Sequence, residues 1–110
     1  MPTLLQELAN QSAARLEAER TRLLDLLHRE VRRLLPPGET VWVFGSLTVP
    51  GGFAETSDVD LALAHRPAAF SEFWLQGELE LRLGRRVDVL ILPETRLREK
   101  IEREGLQWTL

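Results

Sequence analysis

Asp58 and Asp60, with one residue between them in the segment DVDLALA, are the side chains of this chain with the clearest chemical potential. Along an extended strand side chains alternate, so both carboxylates would project from one face while Val59 and Leu61 project from the other, into a core. Their roots would lie about 6–7 Å apart. At that separation two carboxylates repel each other unless a cation sits between them. Two Mg²⁺ ions about 3.5–4 Å apart, clamping a phosphoryl group during an in-line displacement, use carboxylates arranged in this way. The same pair would also suit a solvated turn, since Asp after Ser57 is an ordinary strand start.

Asp88 adds weight to the metal reading. It interrupts the apolar run VDVLIL (87–92), where an unpaired carboxylate would be costly to bury. Three acidic residues on two strands that could be neighbours form a candidate metal site, with Arg82, Arg85 or Arg86 as alternative partners for Asp88. Gly45–Ser46 follows directly on the run TVWVF. Glycine there lets the backbone turn sharply and approach a ligand closely, and a turn starting at Ser46 would aim N–H groups and a hydroxyl at phosphate oxygens. No Gly-Lys-Ser/Thr follows, so this is not a Walker-type phosphate loop.

These residues need elements to hold them. Thr3 and Gln6 have the spacing of a capping box. Leu16, Leu23, Leu24, Leu27, Val31 and Leu34 recur at helical spacing until Pro36, Pro37 and Gly38 end the pattern. The first third therefore reads as one long amphipathic helix, with an interruption expected near Asn10–Ser12. Thr40–Phe44, Asp58–Ala64 and Val87–Leu92 read as strands. A helix is expected from Pro67, which suits a first helical position, to about Leu83. Glu94–Glu104 reads as a last helix stopped by Gly105, and LQWTL (106–110) as a short edge strand. The segment ELELRL (78–83) alternates like a strand, but Phe70, Phe73, Trp74, Gly77 and Leu81 fit one helical face, which favours the helix.

The expected architecture is α+β. A mixed sheet of three to four strands has helices packed against it and follows the long N-terminal helix. One domain spans 1–110, with the helix at 1–38 and a core at 39–110. Fourteen basic and seventeen acidic residues give a net charge of −3, which argues against broad nucleic-acid binding through phosphate neutralisation. Cysteine is absent, which removes disulfides and thiolate chemistry. No apolar run approaches the length of a membrane span and no signal-like segment opens the chain, so a cytoplasmic protein is expected.

The order strand, Gly-Ser, loop, Asp-x-Asp, helix, strand with Asp resembles the nucleotidyltransferase superfamily that includes DNA polymerase beta. The stretches FGSLTVPGGFAETSDVDLAL (44–63) and GRRVDVLILPETRLREKIEREG (84–105) look most like the minimal nucleotidyltransferases, antitoxins found beside HEPN toxins. By that resemblance Gly45 and Ser46 would bind the triphosphate, and Asp58 and Asp60 would carry the metal ions. Asp88 would help hold a metal and act as base toward the incoming hydroxyl. The resemblance implies two Mg²⁺ ions, ATP as co-substrate, and transfer of AMP to a tyrosine hydroxyl of a HEPN toxin. The chain departs from the pattern in two ways: eleven residues separate Ser46 from Asp58, about one more than usual, and Leu47–Gly52 contains no basic residue.

Three readings share this fold: an enzyme that adenylylates a protein, a non-catalytic antitoxin, and a small-molecule nucleotidyltransferase completed by a helical subunit. Several other signals carry less. Arg22 and His28 have the spacing of HEPN ribonucleases, but an all-helical ribonuclease has no room for three strands. His28 and His65 lack a zinc pattern. Trp42 and Trp74 are core candidates. Leu75, Leu79 and Leu83 form a second apolar stripe on their helix and so a candidate docking surface.

Overall fold

The computed structural model describes residues 1–110 as three α-helices and one four-stranded sheet. Helix α1 (Leu4–Leu34) starts at the expected cap: the Gln6 amide donates to the Thr3 hydroxyl at 3.2 Å and the Thr3 amide to the Gln6 side chain at 2.7 Å. Two otherwise orphaned donors are satisfied by the exchange. The helix runs unbroken through Asn10–Ser12, correcting the expected interruption. That stretch holds no Gly or Pro, and Asn and Ser inside a helix cost only tenths of a kcal/mol. Residues 1–15 are exposed, and burial begins beyond them with Leu23, Leu27 and Val31.

The strands are β1 (Thr40–Phe44), β2 (Val59–Leu63), β3 (Val87–Ile91) and β4 (Leu106–Thr109), in the order β3-β2-β1-β4. β1 runs antiparallel to both β2 and β4. β2 and β3 are parallel, which requires a crossover, and helix α2 (Glu72–Leu83) supplies it. Strand alternation sorts the side chains. Val41, Val43, Val59, Leu61, Val87 and Val89 face α1 and α2 and build the main core. Trp42, Phe44, Ala62 and Leu90 face the other way, where Ile101 of the short helix α3 (Arg98–Glu104) packs beside Ala62 and Leu92. Parity therefore puts Asp60 and Asp88 on the α3 side of the sheet.

Helix α2 departs from expectation in two respects. It begins at Glu72 and not at Pro67, because the Ser71 hydroxyl accepts from the Trp74 amide at 3.2 Å and caps it there. ELELRL is helical, as favoured, but the buried face is Leu75, Leu79 and Leu83, while Phe73 and Leu81 are 72% and 82% exposed. The leucine stripe is thus core and no docking surface, and Trp74 is exposed. Three leucines at four-residue spacing form one continuous ridge. The rival face includes Gly77, which has no side chain to bury, and Phe70, which lies before the helix. Trp42 is half-buried, and Trp108 packs edge-on to His28 at 4.7 Å between ring centres.

The last helix is shorter than expected. Leu92–Glu94 forms a separate 3₁₀ turn around Pro93, and the Thr95 hydroxyl accepts from the Leu97 amide at 3.2 Å, delaying α3 to Arg98. The LQWTL tail forms β4 on the edge of β1, as expected. No helix is long and apolar enough to cross a membrane.

Candidate active site

At the end of β1 the chain turns at once. Gly45 has φ +75°, and residues Gly45–Thr48 form a 3₁₀ turn closed by the Thr48 hydroxyl donating to the Gly45 carbonyl at 2.8 Å. Two constraints require glycine here. The left-handed backbone penalises any Cβ. A Cβ at this position would also stand under 3.0 Å from Asp60 Oδ2 and 3.3 Å from Asp60 Cγ. The bare backbone of Gly45 is what lets the turn lie against the Asp60 carboxylate, whose residue pairs with Phe44 across β1 and β2.

Asp60 and Asp88 stand side by side in register on the parallel strands β2 and β3, and Asp58 immediately precedes β2. Asp60 and Asp88 therefore share one sheet face, with Asp58 just before the strand and near enough for its charge to reach Asp60. Asp60 records their proximity. Its pKa is pushed from 3.8 up to about 6, first by burial, then by the charge of Asp88, then by that of Asp58. None of the three has a cationic partner: Arg82 pairs with Glu30 and Glu78, and Arg85 donates to the Glu55 and Ser57 carbonyls at 2.9 and 2.8 Å. Arg86 forms no ion pair, so the alternative pairing of Asp88 with Arg82, Arg85 or Arg86 is not formed. No three acidic or histidine side chains are gathered at ligand distances. The charges of Asp88 and Asp58 add to burial in raising the pKa of Asp60, but the three carboxylates are not a ready-made three-ligand cage. Hard carboxylate oxygens of this kind suit Mg²⁺, which needs only one or two protein carboxylates beside substrate phosphates.

Asp60 and Gly45 open onto a cavity of about 750 Å³ whose walls also include Thr48, Lys100, Ile101 and Glu104. That volume is within the usual range for a small-molecule site. Ser46, Asp58 and Asp88, all half-buried, lie outside its walls. Thr48 and Lys100 are wall residues that motif and spacing do not single out. Lys100 has one available signal, as the single lysine of the chain.

The N-terminal helix helps to hold the turn. Arg20 donates to the Leu47 carbonyl at 2.9 Å, and Glu17, itself bonded to Arg20, accepts from the Gly51 amide at 3.1 Å. Those contacts, the Arg20 bond foremost, lower the Glu17 pKa to about 2. One ion pair on α1 thereby grips both ends of the loop after Gly45. On the other side Arg85 lies over the Phe53 ring at 4.6 Å while it binds the carbonyls that precede Asp58.

Comparison with known proteins agrees with this geometry. No curated protein matches the sequence significantly. Among solved structures, a toxin–antitoxin complex with AMP-PNP superposes with a TM-score of 0.60 at 23% identity, over 86% of this chain and 73% of that one. The toxin–antitoxin MntA–HepT gives 0.54 at 20%, over 84% and 72%. A chain described as a candidate minimal nucleotidyltransferase gives 0.53 at 33% identity, over 86% of this chain and 94% of its own. The first two likenesses speak for the fold. Residues 24–108, which contain the Gly45 turn, Asp58, Asp60 and Asp88, match the family model of the nucleotidyltransferase domain, and the chain belongs to that family.

Proposed function

We propose that this chain transfers AMP from Mg·ATP to a tyrosine hydroxyl of a HEPN-type toxin and acts as its antitoxin. One observation carries the chemistry. Asp60 lies in register with Asp88 and next but one to Asp58, feels the charge of both, and lines, with Gly45, a cavity of nucleotide size. Asp58, Asp60 and Asp88 are the residues that would hold Mg²⁺. Bound there, the metal would offset much of the triphosphate charge and lower the pKa of the attacking hydroxyl.

The remaining work falls to the chain itself. The Gly45 backbone, at the start of its turn and in the cavity wall, would meet the triphosphate, with the Ser46 hydroxyl just outside that wall. Arg20 and Glu17 keep that turn in place. The phenol oxygen attacks the α-phosphorus and the bond to the bridging oxygen of the β-phosphate breaks, releasing pyrophosphate. A phenol with pKa near 10 needs a base, and Asp88 accepts its proton. A cavity of about 750 Å³ would take the nucleotide, and it is open to solvent at Asp60, where an acceptor carried by another molecule can reach it. The toxin–antitoxin complexes that share the fold, one of them with AMP-PNP, support a toxin as that molecule.

The test is to incubate the chain with its HEPN-type partner, ATP and Mg²⁺ and to weigh the intact partner. A gain of one or more AMP units, lost with Asp58→Asn, is the expected result. A partner neutralised without change of mass, equally well by Asp58→Asn, would instead identify a non-catalytic antitoxin of the same fold.

A further inference from the structure

The cavity beside Asp60 has two carboxylates in its walls, Asp60 and Glu104, and one cationic side chain, Lys100. A triphosphate together with the carboxylates Asp58, Asp60, Asp88 and Glu104 brings more negative charge than two Mg²⁺ ions offset, and the loop after Gly45 supplies none of the balance, since Leu47–Gly52 contains no Arg or Lys. Helix α3 places Lys100 on the right side of the sheet. Ile101 is buried against Ala62 and Leu92 on the face that carries Asp60 and Asp88, which fixes its neighbour Lys100 at the cavity wall. The other cations of α3 are engaged: Arg98 binds Glu102 at 3.1 Å and Arg103 lies 3.8 Å from Glu104. Lys100 takes part in none of the ion pairs of the chain. Its ammonium is a compact charge on a flexible stem, with three donors free for phosphate oxygens.

We propose that Lys100 binds the triphosphate of the nucleotide, supplying from α3 the positive charge that the Gly45–Ser46 loop lacks. The assignment rests on the nucleotidyltransferase reading of the cavity. It makes α3 part of the nucleotide site, and it distinguishes the triphosphate from the nucleoside as the part of the ligand that Lys100 contacts. Because Lys100 is exposed and takes part in no ion pair, replacing it should leave the fold intact.

Calorimetric titration of Mg·AMP-PNP and of AMP into the full-length wild type, Lys100→Gln and Lys100→Arg tests it. Loss of charge-assisted hydrogen bonds should weaken AMP-PNP binding to Lys100→Gln by about ten- to hundredfold. AMP affinity should stay within about twofold, Lys100→Arg should recover most of the loss, and the melting temperature should not move. Unchanged AMP-PNP affinity in Lys100→Gln, with the wild type binding normally, overturns the proposal and leaves the nucleotidyltransferase reading standing. Equal losses for AMP-PNP and AMP also overturn it, because Lys100 would then serve the nucleoside or the fold. A wild type that binds no Mg·AMP-PNP overturns the reading itself and the proposal with it.

Discussion

Replacing Asp60 by Asn should abolish nucleotidyl transfer and at the same time stabilise the protein at neutral pH. The loss of activity follows from the carboxylate's place between Asp58 and Asp88. Asn keeps the shape but not the charge that holds Mg²⁺, and metal stabilisation of transition-state charge is worth several kcal/mol. At about 1.36 kcal/mol per tenfold in rate, that means a fall of at least about a hundredfold. The gain in stability follows from the raised pKa. A carboxyl whose folded pKa lies near 6, above its ordinary 3.8, contributes stability that is complete below 3.8 and is lost as pH rises through about 6. Above pH 6 the ionised wild type bears the cost of burial and of two like charges. The group is half-exposed, so solvent screens much of that cost, and roughly 1 kcal/mol is expected. Melting in EDTA should show Asp60→Asn a few degrees above the wild type at pH 7.5 and level with it at pH 4. An Asp60→Asn protein less stable than the wild type at pH 7.5 would mean that the acidic cluster carries no such strain.

Gly45→Ala should be the most damaging small substitution near the site. The backbone penalty of a Cβ at φ +75° is about 1–2 kcal/mol. Crowding against Asp60 adds a further cost of about 1–3 kcal/mol, the usual scale of overpacking. The new methyl must push the Asp60 carboxylate aside, so metal-dependent nucleotide binding should fall along with stability. Gly84→Ala is the matched control. Gly84 closes α2 at φ +66°, and a methyl added there would meet nothing within 4 Å, so only the backbone penalty applies. Comparing the two by urea unfolding isolates the cost of crowding. Equal losses would show that the close approach of Gly45 to Asp60 has no energetic consequence.

Much of this site is legible in the sequence because strand alternation is a strict rule. Once DVDLALA and VDVLIL are read as strands, Val59, Leu61, Val87 and Val89 must be buried, and Asp60 and Asp88 must face away from them. The in-register pairing of Asp60 with Asp88 depends on a parallel β2–β3 contact, which the sequence allows but does not require. Helix α2 is harder to read. It carries apolar residues on two faces, and which one is buried depends on where the sheet and α1 lie, not on local pattern. The start of α2 differs from expectation for a local reason: Pro67 fits a first helical position, but Ser71 offers the hydroxyl that caps the helix. Lys100 is not legible as a site residue. A lone cation has no partner spacing, and only the packing of Ile101 beneath α3 brings it to the cavity beside Asp60. The scaffold that Arg20 and Glu17 provide for the Gly45 loop is likewise tertiary, spanning 27 and 34 positions in sequence.

The measurement that tests the central claim most directly is calorimetric titration of AMP-PNP into the wild type with Mg²⁺, into the wild type with EDTA, and into Asp58→Asn with Mg²⁺. A site made of Asp58, Asp60 and Asp88 predicts saturable binding in the first case and a loss of at least about tenfold in affinity in the other two. Binding of equal strength in all three would contradict it, because the carboxylates would then have no part in holding a metal-bound nucleotide.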